Sequence, residues 1–329
     1  MDGKGLTGGP ITDAVPLPGG TQNILVRFRR GSREYVFRRG PEHLRVKSNE
    51  VIRREALLLA ALEGTDVPHP RLIAGCPDAT VLGGATFYLM EPVEGFNPTV
   101  SIPALHASDA GVRHEMGLHA AEALARLGAV DHVAVGLDGF GHPEGFLERQ
   151  VGRWMAELDS YSRFEGYAGP DIPGLDAVAA WLDANRPASF VPGIMHGDYH
   201  LANLLYELDG PEVAAIVDWE MCTIGDPLLD LGWLLVMWPE GAGDVMPSAL
   251  AALGGLCSGP ELVAAYAQRS TRDLSAIDWY IALACFKCGI VLEGTNARAC
   301  AGKAAREVGD LLHAVTLGLF ARARTITGG

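Results

Sequence analysis

His196-Gly-Asp-Tyr-His-Leu-Ala-Asn203 leads into the apolar triplet Leu204-Leu-Tyr206, a turn at Asp209-Gly210, and then Ala214-Ala-Ile-Val-Asp218-Trp-Glu220. Three oxygen-bearing side chains recur through this stretch at intervals that suit one chemistry. Phosphoryl transfer asks for an acceptor oxygen in line with phosphorus and for cations that hold the phosphate charge. Asp198 can take the proton of an acceptor hydroxyl and aim its lone pair. Asn203, five residues on, can offer an amide oxygen to Mg²⁺ from the same loop. Asp218, at the end of the next strand, can hold Mg²⁺ from the other side. Such a sparse oxygen set, completed by phosphate and water, is what Mg²⁺ prefers. A lone Asp or Asn in a loop is more often a turn or cap former, and only the joint spacing changes that reading.

Outward from this stretch the chain divides in two. Residues 23–30 and 33–39 alternate as strands around Gly31-Ser32, a two-residue hairpin signal. A helix follows, capped by Ser48 or Asn49, with Val51, Ile52, Ala56, Leu58, Leu59 and Leu62 as its apolar stripe and Gly64 as its close. Residues 71–74 and 85–90 read as further strands. From about Pro103 helices dominate, with candidates at 108–127, 145–161, 174–185, 228–237, 259–268, 278–292 and 303–325, interrupted by a short β-rich stretch between Gly193 and Asp218. The expected class is α+β: a bilobal, protein-kinase-like unit with a small antiparallel sheet and one main helix at 1–92, a hinge near 90–94, and a helical part at 93–329.

The run H-G-D-x-x-x-x-N, an apolar strand and I-V-D-W-E resembles the aminoglycoside phosphotransferase-like family, and corresponds to the catalytic-loop and metal-binding signatures of protein kinases. The longer stretch from Asp218 through Gly225-Asp226-Pro227 to Asp230-Leu231 is similar to one branch of that family. This branch includes the kinase-like domains fused to some acyl-CoA dehydrogenases and actinobacterial phosphotransferases. The resemblance spans roughly residues 19–298. It implies ATP and Mg²⁺ as cofactors and a small-molecule hydroxyl as acceptor, with Asp198 catalytic and Asn203 and Asp218 as metal ligands. It also implies His196 as a brace of the metal-binding segment, and Glu220 either at the outer shell of the metal or on the backbone. Asp226 and Asp230 are expected to cap and tie helices beneath the loop.

For the nucleotide, the resemblance implies a phosphate-covering loop at Gly19-Gly20-Thr21-Gln22-Asn23, where glycine allows close backbone approach. Arg38 stands where the family usually has Lys, with Glu55 as its helix partner; Arg stays cationic but is bulkier and forks, so the two are not equivalent. The hinge Met90-Glu91-Pro92-Val93 would read adenine through the Glu91 carbonyl and the Val93 N–H, since Pro92 has none, with Met90 as a wall. Acceptor contacts are expected from two helices, at Arg149, Trp154, Tyr280, Lys287, Glu293 and Arg298, although such residue types are often surface or packing.

Composition sets the outer limits. The chain has 329 residues, 48% hydrophobic and 20% charged, a globular balance. A net charge of −14 argues against nucleic acid as a partner. Against that acidic bulk, Arg27 to Arg54 carries ten Lys/Arg and three Glu, a segment suited to an anionic ligand. No run is long and apolar enough for a membrane, and the N-terminus lacks a secretory pattern, so a cytoplasmic monomer or homodimer is expected. Cys285 and Cys288 form a C-x-x-C inside an apolar helical run and read as core. The terminal helices carry Arg298, Lys303, Arg306, Arg322 and Arg324 rather than carboxylate clusters. That favours a hydroxyacyl thioester or another metabolite over an aminoglycoside as acceptor. A non-catalytic nucleotide-binding pseudokinase is the rival, supported by the Arg at position 38.

Overall fold

The structure, a computed structural model, describes residues 6, 8–17, 23–239, 245 and 248–328. It begins with β1 (Ile11–Pro16), β2 (Ile24–Arg30) and β3 (Arg33–Arg39), then α1 (Ser48–Leu62), β4 (Leu72–Cys76) and β5 (Phe87–Met90). These strands form one antiparallel sheet in the order β1-β2-β3-β5-β4. The β2–β3 hairpin closes through Gly31, whose φ of +61° is a left-handed value that costs glycine little. Alternation decides the two faces of β3. Val36 and Arg38 turn toward α1, while Tyr35 stacks on Phe28 across the opposite face. The edge strand β1 departs from the sequence reading, which placed no strand before residue 23. Its residues are all exposed, so no buried face marks it, and the pairing shifts register between Thr12 and Val15.

Helix α1 lies on the inner face of the sheet and buries Ile52, Glu55, Leu58, Leu59 and Leu62. Each buried leucine contributes about 1.5–3 kcal/mol. Its expected side-chain cap is absent. The N-cap residue is Lys47, and Asn49 instead accepts the Thr86 N–H at 2.9 Å and donates to the Gly84 carbonyl at 2.8 Å. Asn49 thereby ties α1 to the start of β5 rather than ending a helix.

The rest of the described chain is mostly helical: α2 (Ala104–Ser108), α3 (Ala110–Ala129), α4 (Gln150–Asp159) and α5 (Leu175–Ala184), then α6 (Leu228–Met237), α7 (Ala249–Ala252), α8 (Gly259–Arg269), α9 (Ile277–Cys300) and α10 (Arg306–Thr327). Between α5 and α6 run two short ladders, β6 (Gly193–Met195) with β9 (Thr223–Gly225), and β7 (Leu204–Tyr206) with β8 (Val213–Ile216). The helix expected at 108–127 is α3, which starts after Asp109, whose carboxylate caps it by accepting the N–H groups of Gly111 and Val112; the short α2 before it was not expected. Helix α9 runs past the expected end at 292. Gly294, Thr295 and Asn296 look like turn residues. Packing overrides them: a Cβ on Gly294 would lie 2.7 Å from the Tyr161 ring, so glycine makes room for that ring. No helix among the described residues is long and apolar enough to cross a membrane.

Candidate active site

The loop after β6 is held from below. Asp230, in the first turn of α6, accepts the N–H of His196 at 2.6 Å and that of Gly197 at 2.9 Å. Full burial pushes the Asp230 carboxyl up to about 6, while these two N–H donors restrain it. Gly197 has φ +87°, and a Cβ there would sit 2.6 Å from the Met221 carbonyl oxygen, so the loop needs glycine at this point. Fully buried His196 spans the loop and the neighbouring strand. Its Nδ1 accepts the Asp198 N–H at 3.3 Å, which leaves Nε2 to donate to the Val217 carbonyl at 2.9 Å. Burial pushes its pKa down, so it stays neutral. His196 thus ties the loop to the segment that leads into Asp218.

Asp198 is gripped on both oxygens. Trp233 of α6 donates Nε1–H to Oδ1 at 3.0 Å. His200 Nε2 lies 3.3 Å from Oδ2, and Asn203 Nδ2 lies 3.2 Å from the same oxygen and 2.9 Å from the Asp198 carbonyl. His200 Nδ1 accepts the Ala202 N–H, so Nε2 carries the proton. Burial opposes the charge on Asp198, but the hydrogen bond from His200, with the nearby Lys287, prevails and holds the carboxyl at about 2. It is therefore ionised throughout the physiological range.

Asn203 spends its NH₂ on Asp198, and its Oδ1 accepts no hydrogen bond from the described residues. The Val217 N–H donates to the Asn203 carbonyl at 2.9 Å. Together with His196, this sews residues 196–203 to the segment after β8 that carries Asp218. Asp218 has φ +66°, an uncommon conformation for a residue other than glycine. Such outliers cluster where function over-determines the backbone.

Arg38 joins the sheet to this loop. Its Nη2 donates to Asp218 Oδ1 at 2.7 Å and to Glu55 Oε1 at 3.0 Å, while Nε lies 2.7 Å from Glu55 Oε2 without hydrogen-bond alignment. Tyr88, opposite Arg38 in the β3–β5 register, donates its hydroxyl to Glu55 at 2.8 Å. Burial pushes the Glu55 carboxyl up, and Arg38 and Tyr88 offset only part of that. Oxygens of Glu55, Asp218 and Glu220 lie within 4.8 Å of one another. Burial and the charge of Asp218 raise the pKa of Glu220, a strain that a divalent cation would relieve. Hard carboxylate oxygens this close together suit Mg²⁺, so the residues present fit this ion.

Other expected residues fall as follows. Asn23 donates to Glu220 at 3.3 Å, while Gly20, Thr21 and Gln22 lie outside the described residues. Met90 is buried between Val36 and Leu72. The Glu91 N–H is taken by the Arg71 carbonyl; the Glu91 carbonyl and the Val93 N–H make no hydrogen bond among the described residues. Trp154 and Lys287 line a cavity beside Gly197 and Trp233. The remaining acceptor candidates do not reach it. Arg149 donates to the carbonyls of His142 and Glu144, holding a loop. Tyr280 gives its hydroxyl to Asp226 at 2.6 Å in the core. Glu293, fully buried, is clasped by Tyr167, Asn296 and His313. Arg298 donates to Thr295 one turn back. Two neighbours of Asp198 escaped the sequence reading: His200, visible inside the motif itself, and Trp233, which carries no signal beyond its helix.

An antiparallel sheet with one helix, a mostly helical remainder, and the H-G-D loop sewn to a following Asp make this a protein-kinase-like phosphotransferase fold. The profile of the phosphotransferase enzyme family matches residues 13–280, and the chain belongs to that family. Acyl-CoA dehydrogenase family member 11 of Homo sapiens is 29% identical over 287 residues, covering 85% of this chain and 35% of the relative. This chain therefore spans about a third of that relative's length. Among solved structures, a provisionally named aminoglycoside phosphotransferase of Ralstonia eutropha JMP134 superposes with a TM-score of 0.79 at 27% identity, covering 98% of this chain and 94% of the other. The GDP complex of aminoglycoside 2'-phosphotransferase-IIIa shares the fold at a TM-score of 0.62 and 15% identity, covering 95% of this chain and 93% of the other.

Proposed function

We propose that this chain is an ATP- and Mg²⁺-dependent small-molecule kinase that transfers the γ-phosphoryl group to a hydroxyl of a metabolite. The observation that carries the reading is the hydrogen-bonded frame joining Asp198, Asn203 and Asp218 through His196 and Val217. When bound, Mg²⁺·ATP supplies the transferable phosphoryl group and compensates its charge. Asp218 and the Asn203 amide oxygen would hold the metal, with Glu220 close by. Asp198 accepts the acceptor hydroxyl's hydrogen bond and aims its lone pair. A carboxylate held at about 2 is a weak base. Its part is mainly orientation, which suits a loose transition state needing little early deprotonation. Trp233 and His200 fix the direction of that carboxylate. A GDP complex of a protein with this fold supports a nucleotide as donor, and the acyl-CoA dehydrogenase name of longer relatives favours an acyl-bearing metabolite over an antibiotic as acceptor.

Asp198→Asn tests the reading. ADP release across a panel of hydroxyl metabolites is expected to vanish in the variant, while calorimetric ATP binding persists. Wild-type-like turnover by Asp198→Asn would defeat the assignment. One observation favours the pseudokinase alternative: Arg38 already places a cation on Asp218 Oδ1. A thermal shift by ATP that is indifferent to Mg²⁺ would support that alternative.

A further inference from the structure

The cavity beside the Asp198 loop is walled by Phe146, Trp154 and Trp233 and is crossed by Lys287. Its volume is about 70 Å³, room for roughly two water-sized groups. Lys287 donates to the Gly197 carbonyl at 3.1 Å, and its ammonium lies 4.1 Å from the Trp233 ring centre and 5.7 Å from that of Trp154. An ammonium has three donors. No carboxylate comes within ion-pair distance of this one among the described residues, and two of its protons meet no hydrogen-bond acceptor there. Trp154 is 9% exposed, and its Nε1–H is buried without any hydrogen-bond partner. A buried donor left unpaired is costly, and such a group calls for an explanation. Asp230, the one carboxylate among the described lining residues, is already spent on the N–H groups of His196 and Gly197. Arg153 adds a second cation to the lining.

Resting on the kinase reading above, we propose that Lys287, with the Trp154 indole N–H, binds a carboxylate-sized anionic group of the acceptor. The acceptor is then a hydroxy compound carrying a negative group near the phosphorylated oxygen, with apolar atoms against the aromatic walls. Polycationic acceptors are disfavoured by the same lining, because Lys287 and Arg153 repel them at short range. Lys287 is a specificity-determining residue in this scheme, and the Asp198 frame remains the seat of the chemistry.

Binding can be read without turnover, because Trp154 and Trp233 flank the ammonium. Short-chain hydroxycarboxylates and their uncharged methyl esters are titrated against the full chain by intrinsic tryptophan fluorescence. Wild type is expected to prefer the carboxylate. Lys287→Met is expected to weaken carboxylate binding by about tenfold to a hundredfold, the worth of one charge-assisted hydrogen bond, and to leave ester binding unchanged. Lys287→Arg restores part of the preference, and an unchanged urea midpoint shows that the Met variant is folded. Equal binding of acid and ester by wild type, full carboxylate affinity in Lys287→Met, or no carboxylate binding by wild type at millimolar concentration overturns the proposal. None of these outcomes bears on the kinase reading, which stands or falls on turnover by Asp198→Asn.

Discussion

Arg38→Met is the substitution that most directly measures what joins the sheet to the segment carrying Asp218. Arg38 and Glu55 are 7% and 1% exposed at their side chains, so solvent screens the pair little. Methionine fills much of the volume of the arginine stem, yet leaves Glu55 with Tyr88 as its one remaining side-chain hydrogen-bond partner among the described residues. Stranding one member of a buried pair costs about 3–5 kcal/mol. The cost depends on pH in a definite direction. With its cation gone, Glu55 keeps the upward push of burial, so its folded pKa stands above its unfolded one. The deficit is therefore full at neutral pH and shrinks as pH falls through the folded value toward the unfolded value near 4.5. Urea unfolding at pH 7.5 and at pH 4.5, extrapolated linearly, reads both quantities. Adding Glu55→Gln to Arg38→Met should recover most of the loss at pH 7.5 and abolish its pH dependence. A deficit under about 1 kcal/mol that is flat with pH, the signature of a solvent-screened surface pair, would refute this account of the frame.

Three further outcomes follow from the same geometry. The acid limb of kcat/KM should fall near pH 6, because protonating Asp230 takes away one carboxylate acceptor from the His196 and Gly197 N–H groups, whereas Asp198 stays ionised down to about 2; a profile flat from pH 7 to pH 4 would count against this. Gly197→Ala should lower Tm and cut kcat sharply, since the left-handed backbone costs about 1–2 kcal/mol with a Cβ and the methyl meets the Met221 carbonyl at 2.6 Å; wild-type Tm and kcat together would show that the loop yields. In timed thiol labelling of the native protein, partly exposed Cys76 and Cys300 should react first. Cys222, Cys285 and Cys288, buried and with thiols pushed up to about 12, should react only on unfolding; early labelling of the C-x-x-C pair would contradict its place in the core.

Much of the fold was legible because its signals are local. Alternation around Gly31-Ser32 marks the β2–β3 hairpin, and the apolar stripe of α1 marks the helix laid over it. The spacing from Asp198 to Asn203 to Asp218 was legible for the same reason: backbone geometry over a few residues sets it. What stayed hidden depends on partners distant in sequence. β1 is a strand only because β2 offers an edge, and all its side chains face solvent. Gly294 and Asn296 remain helical because Tyr161 and α10 pack there. The direction of Arg149, Tyr280 and Glu293 is fixed by the carbonyls and side chains that each happens to meet. Trp233 could not be placed from sequence, since nothing along α6 announces that its indole reaches across 35 residues to Asp198.

The division between what was readable and what was not is also a division between reaction and substrate. The groups that would hold nucleotide and metal sit on a continuous frame of backbone and buried charge: Glu55 to Arg38, Arg38 to Asp218, and from there through Val217 to His196 and Asn203. Altering one member strands another, so the residue types and spacing are mutually constrained and the motif survives as a recognisable string. The cavity by Lys287 has no such constraint. It is assembled mainly from α4, α6 and α9, whose side chains meet only after packing, and Lys287 reaches the Asp198 loop by a single hydrogen bond, to the Gly197 carbonyl. A shared frame can therefore carry different acceptors in different relatives. By the same physics, membership of the phosphotransferase enzyme family says far more about the frame than about any molecule that would receive a phosphate.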